Sequence, residues 1–112
     1  MAPTVLHSGA PSLTNPDNPF IHAAAEALKE IFGQETVYIR SGGSIPVASL
    51  FSSMLDLPVV MLGFANPDDN AHAPNETMVL LNYETGLRTI TRLWDDLGSM
   101  SPQAARTGGM TE

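Results

Sequence analysis

The run Pro58 to Phe64, Pro-Val-Val-Met-Leu-Gly-Phe, constrains the fold of this chain more than any other stretch. It carries no charged or hydrogen-bonding side chain, so it reads as a strand buried on both faces. Helices covering a parallel sheet create that environment. Helix-like patterns flank the run. Phe20, Ala24, Ala27, Leu28 and Ile31 recur at helical spacing, behind Asp17 or Asn18 as a cap and Pro19 in the first turn, and Gly33 is a natural stop. Val47, Leu50, Phe51 and Met54 mark the inward face of a second helix, which Ser44 can cap and Pro46 can open. Val79, Tyr83, Leu87, Ile90, Trp94 and Leu97 trace one face of a third. Thr4 to His7 and Thr36 to Arg40 read as short strands. Helices are expected near residues 18–32, 45–55 and 76–98. Alternation of this kind implies an α/β fold, a partial and mostly parallel sheet of about three or four strands with flanking helices. A sheet this thin has exposed edges and suits part of a larger one.

Composition narrows the function classes. Twelve acids against five bases give a net charge of -7, which argues against a nucleic-acid surface and against anionic membranes. There is no cysteine, so any metal must be held by His, Asp or Glu. No basic, apolar leader is visible at the N-terminus, and no apolar run approaches the ~18 residues of a membrane span. A cytoplasmic protein is the default expectation.

Two loops can carry chemistry. Arg40-Ser41-Gly42-Gly43-Ser44-Ile45-Pro46 leaves a strand, turns on two glycines and enters a helix. Free backbone N–H groups there favour an anion, the glycines let it approach, and Arg40 can add a bidentate contact to a carboxylate. The plain alternative is a helix cap, a glycine turn and a surface arginine. The spacing is neither a dinucleotide fingerprint nor a phosphate loop. The second loop, Asn66 to Glu76, holds His72 between carboxylates. Loops at the C-terminal ends of strands are where α/β proteins put their sites, and a neutral imidazole there suits a metal. A catalytic zinc needs about three protein ligands, and Asp68, Asp69 and Glu76 are the nearby carboxylates. Equally, Asn75 or the Ala73-Pro74 turn can start the last helix, with Glu76 at its positive end. His7 and His22 lack ligand spacing. Tyr83 and Trp94 read as core, and Asp95-Asp96 as solvated surface.

Arg40-Ser-Gly-Gly-Ser-Ile-Pro46, a helix, an apolar strand ending in Gly63-Phe64, and then Asp68-Asp-Asn-Ala-His-Ala-Pro-Asn-Glu76 resemble one family closely. It is the family of co-catalytic di-zinc peptidases that includes carnosinase-type dipeptidases, acetylornithine deacetylase, succinyl-diaminopimelate desuccinylase and glutamate carboxypeptidases. The wording Gly-Gly-Ser-Ile-Pro is nearest the dipeptidase branch. The resemblance implies the closing part of a zinc-peptidase catalytic domain over residues 10–98. Residues 1–9 would end a lid-domain strand, and residues 99–112 would form a flexible tail. It implies His72 as the last zinc ligand and Gly42, Gly43 and Ser44 as the receiver of the substrate's carboxylate with Arg40 beside it. Glu76 becomes an acidic support for the ligand. The complete enzyme holds two zinc ions and cuts a peptide or N-acyl amino acid with a free carboxylate. The family's lid often mediates dimers, so a homodimer is an implied assembly. The family's other zinc ligands and its general-base glutamate lie in motifs absent from this chain. No catalytic residue is therefore assigned here, the isolated chain is expected to be inactive, and its partner is the N-terminal part of the domain. A non-catalytic module pairing through a sheet edge, or a small carboxylate-binding domain, are the alternatives.

Overall fold

The structure, a computed structural model, describes Thr4, residues 9–40 and residues 45–101. Three helices follow in order: α1 (Pro19–Phe32), α2 (Pro46–Leu55) and α3 (Leu80–Ser99). The start of α1 is as local chemistry dictates. Asn18 is the N-cap, and its side-chain oxygen accepts the Phe20 N–H at 2.8 Å. Pro19 stands where its absent N–H leaves nothing unpaired. Gly33 ends the helix in the left-handed region, φ 73°, with its N–H on the Lys29 carbonyl at 2.8 Å. That conformation disfavours any residue with a β-carbon.

The other two starts differ from expectation. The N-cap of α2 is Ile45, extended and without a side-chain cap, not Ser44, which lies outside the described residues. Helix α3 begins at Leu80 rather than near residue 76. Two observations account for the delay. Asn75 takes a left-handed φ of 60°, and the Thr77 N–H is already bonded to the Asp69 carbonyl at 2.9 Å. A left-handed Asn75 cannot itself be helical, and the Thr77 bond ties the chain after it back to the loop. The end of α3 reaches Ser99, one residue into the expected tail, and residues 102–112 lie outside the described set.

Helix α1 packs on α3. The buried residues of the two are small: Ala24 and Ala27 on α1, Gly86 and Thr89 on α3. Small side chains let two helices approach closely. Glu30 of α1 and Asp96 of α3 converge on Arg92, at 2.6 and 3.0 Å, so Asp96 is an ion-pair partner and not merely solvated. Phe64 wedges the end of the apolar run into this layer. Its ring stacks on Phe32 with centroids 6.2 Å apart, and it lies directly on Gly86. Val60, Leu62 and Phe64 are half-buried, while Met61 and Gly63 between them are exposed. That alternation is strand-like, with one face covered.

The expected sheet is not formed, since no strand is present among the described residues. Residues 35–40 and 57–65 form neither helix nor strand, and a ladder needs a neighbouring strand to receive its N–H and C=O groups. Val37, Tyr38 and Ile39 are accordingly exposed on both sides of their segment. The expected inward faces are corrected too. Val47, Leu50, Phe51 and Met54 of α2 are exposed, with only Ala48 buried. On α3, Tyr83, Leu87 and Trp94 are exposed, and the adjacent face carrying Gly86 and Thr89 is the one that is covered.

Candidate functional site

The loop from Asn66 to Thr77 is built on two consecutive turns. Asn66 and Pro67 open the first, which closes with the Asp69 N–H on the Asn66 carbonyl at 3.2 Å. Pro at the second position of a turn has its φ preset for it. The second closes with the Ala73 N–H on the Asn70 carbonyl at 3.0 Å. Asp69 is the hub. It is buried, its carboxylate accepts the Asn66 N–H at 2.8 Å, and its carbonyl accepts the Thr77 N–H. A buried carboxylate must have such partners, because an unpaired one is costly. Asn82 of α3 donates to the Asn66 side-chain oxygen at 3.1 Å, which ties the loop to the helix layer.

His72 is exposed on the outer part of this loop. Its φ of 60° is left-handed, between Asn70 at 54° and Asn75 at 60°. Asparagine and histidine both enter this region more often than other residues with a β-carbon, and the conformation still costs about 1–2 kcal/mol unless the surroundings impose it. Here the surroundings do: the turn bonds and the Asp69 hub bracket it. Backbone strain held by a braced loop is a mark of functional positions.

The four nearby acidic and imidazole groups are thus sorted. Asp69 is spent on holding the loop, while Asp68, His72 and Glu76 are exposed. Glu76 does not lie on the positive end of α3, which starts four residues later. Among the described residues no three of His, Cys, Asp and Glu converge as a metal-holding group. Arg40 is exposed at the end of the segment after α1, and Ser41, Gly42, Gly43 and Ser44 lie outside the described residues. His22 is exposed on α1, and His7 is also outside the described set. Among the described residues, the groups whose ionisation is shifted are off the site. Lys29 is held up by its bond to Glu35, and Arg92 by Asp96 first and Glu30 second. A groove of about 850 Å³ between residues 9–13 and α2, lined by Leu13, Pro46, Leu50 and Ser53, includes neither Arg40 nor His72.

The roles of Asn66 and Asn82, and the contact of Phe64 with Gly86, were not visible as such in the sequence. The Asn66-Pro67-Asp68-Asp69 wording is a turn signal, and it locates the hub once the turn is recognised.

The comparisons with known proteins bear on the same residues. The model of peptidase family M20/M25/M40 matches residues 2–96. The chain belongs to this family. It is 34% identical over 86 residues to the Cys-Gly metallodipeptidase DUG1 of Saccharomyces cerevisiae, covering 77% of this chain and 18% of that protein. It is 29% identical over 90 residues to the Beta-Ala-His dipeptidase of Homo sapiens, covering 80% of this chain and 18% of that one. A solved structure of the dipeptidase Dug1p from Saccharomyces cerevisiae superposes with a TM-score of 0.80 at 32% identity, over 86% of this chain and 20% of that chain. The three helices and the segments between them therefore reproduce part of a peptidase domain of this family. The chain spans about a fifth of the length of the curated relatives it matches.

Proposed function

We propose that this chain is the closing part of a metal-dependent hydrolase that cuts dipeptides or N-acyl amino acids, with His72 as one metal ligand. The observation that carries this reading is the braced, left-handed, exposed His72, in a chain 34% identical to a protein named a metallodipeptidase. The donor set fits one ligand of a shared site. A single imidazole is presented, and Asp69 is engaged with the loop backbone. The remaining ligands and the general base come from the rest of the domain.

Zinc, as two ions, supplies Lewis-acid polarisation of the scissile carbonyl and activation of a water. This chain's own residues hold and orient. His72 contributes its imidazole, and Glu76 supports that ligand electrostatically. Arg40 and the Gly42-Gly43-Ser44 turn grip the substrate's carboxylate, fixing the scissile bond's position. Residues 1–9 end a strand of a lid domain, residues 10–98 belong to the catalytic domain, and the residues beyond form a tail. Residues 35–40 and 57–65 become strands of a mostly parallel sheet once flanking strands receive their backbone groups. The complete protein acts in the cytoplasm, with a lid-mediated homodimer as its assembly.

The test is dipeptide hydrolysis with and without zinc. It compares the chain alone with a protein in which it replaces the matching fifth of the Saccharomyces cerevisiae relative. The chain alone is expected to be inert, because one imidazole falls short of the ligand count of a catalytic zinc. The joined protein is expected to be active and chelator-sensitive. Metal-dependent turnover by the chain alone, or a folded joined protein that stays inert with zinc, overturns the reading.

A further inference from the structure

A pair of asparagines fastens the loop that carries His72 to the helix layer. Residues 70–76 form an arc that leaves Asp69 and returns to it, because the Thr77 N–H lies on the Asp69 carbonyl at 2.9 Å. Asp69 is locked in turn to Asn66. Its carboxylate accepts the Asn66 N–H at 2.8 Å, and its own N–H lies on the Asn66 carbonyl at 3.2 Å. Asn66 then uses its side chain, whose Oδ1 accepts from Nδ2 of Asn82 at 3.1 Å, in the first turn of α3. The arc hangs from Asp69, Asp69 from Asn66, and Asn66 from Asn82.

The plain alternative is that Asn82 serves its own helix. An asparagine near a helix start often caps free N–H groups. Helix α3 has no side-chain cap bond at Val79, and the Asn82 amide goes instead to a residue sixteen positions earlier. The anchor is also firm. Gly86, one helical turn further on, is buried under Phe64. A metal shared with other parts of a domain needs its donors held to within about 0.5 Å. An exposed arc braced only by its own turns lacks a fixed reference, and the bond to α3 supplies one.

We infer that Asn82 is a positioning residue for the His72 imidazole, acting through Asn66 and Asp69 on the arc and so on metal affinity. The inference rests on the proposed role of His72 as a ligand. Side chains behind a ligand typically change metal affinity by about 10–100-fold. Asn82 acts through two other residues, so the lower end of that range is expected.

The experiment has two arms. In the chain itself, Asn82→Ala is expected to speed deuterium exchange at the Asp69, Ala73 and Thr77 amides, while those within α1 stay protected. In the joined protein described above, zinc affinity is measured by chelator competition beside the Tm. Asn82→Ala is expected to weaken zinc about tenfold and to keep the Tm within ~2 °C of the parent. Asn66→Ala should also weaken zinc, and adding Asn82→Ala to it should weaken zinc no further, because the two changes remove one link. Asn82→Asp is expected to recover most of the affinity, since the Asn66 amide can turn over and donate to the new carboxylate. Unchanged exchange in the chain overturns the inference, as do additive losses in the double variant or an Asn82→Asp as weak as Asn82→Ala. A Tm loss of ~5 °C or more accompanying the weaker zinc also overturns it, by making Asn82 a structural prop. A parent that binds zinc while Asn82→Ala binds it equally well sinks this inference alone. A folded parent that binds no zinc sinks the hydrolase reading, and this inference with it.

Discussion

The ring of Phe64 lies on the bare backbone of Gly86, so close that a β-carbon at Gly86 would come 3.1 Å from the ring's Cγ. The same ring also stacks on Phe32, with centroids 6.2 Å apart, so it is held from two helices. Alanine in a helix normally gains about 0.5–1 kcal/mol over glycine, whereas overpacking a filled site costs about 1–3 kcal/mol. Gly86→Ala is therefore expected to destabilise by about 1 kcal/mol net. Gly98→Ala, in the same helix with open space around it, is expected to be neutral or to stabilise by up to ~1 kcal/mol. Denaturant titration of the two variants checks the contrast.

Asp69 holds the His72 loop by a charge-assisted bond to the Asn66 N–H and by its own carbonyl on the Thr77 N–H. Asp69→Ala leaves the Asn66 N–H without its acceptor and is expected to cost about 1.5–3 kcal/mol. The amides of Asn66 and Thr77 should exchange faster with deuterium while those within α1 stay protected. Unchanged exchange at both would show that the turns stand without the hub.

His72 occupies a left-handed position that favours glycine. His72→Gly is expected to leave the isolated chain's stability unchanged or raise it by up to ~1 kcal/mol, because the strain is relieved. In the joined protein the same change should abolish turnover. A stability cost comparable to that of Asp69→Ala would mean that the imidazole is a structural prop.

What the sequence revealed, and what it hid, divides by range. The Asn18 cap, Pro19 and the Gly33 stop depend on neighbours within one helical turn, and they stand where the residues indicate. The late start of α3 was hidden because the chain before it is tied back to the loop, with the Thr77 N–H on the carbonyl of a residue eight positions earlier. Asp68 and Asp69 are chemically alike, and only the turn decides which one is buried. The apolar faces of α2 and α3 were legible as faces, but not as exposed ones. Periodicity marks which residues share a face, but whether that face is covered depends on contacts distant in sequence. His72 stood out only through the wording of the two loops together, because a lone histidine in a polar loop, taken by itself, is more often solvated than metallated.

Arg40 and His72 are expected to fail differently in the joined protein. Arg40→Ala removes a charge-assisted hydrogen bond worth roughly 1.5–3 kcal/mol, about ten- to a hundredfold in kcat/KM, and leaves the metals in place. Substrates with a free carboxylate should suffer most and their amides least. Kinetics on paired acid and amide substrates check this. An equal penalty on both would make Arg40 structural and strip the Gly42-Gly43-Ser44 turn of its role as the carboxylate clamp.

The most direct measurement of the central claim is the zinc stoichiometry of the joined protein with and without His72→Ala, read alongside turnover. A ligand's removal opens a coordination shell, so metal content and dipeptide hydrolysis are predicted to fall together while the protein remains folded. Full zinc content and undiminished turnover in His72→Ala would contradict the account, because the one metal donor assigned to this chain would then hold no metal.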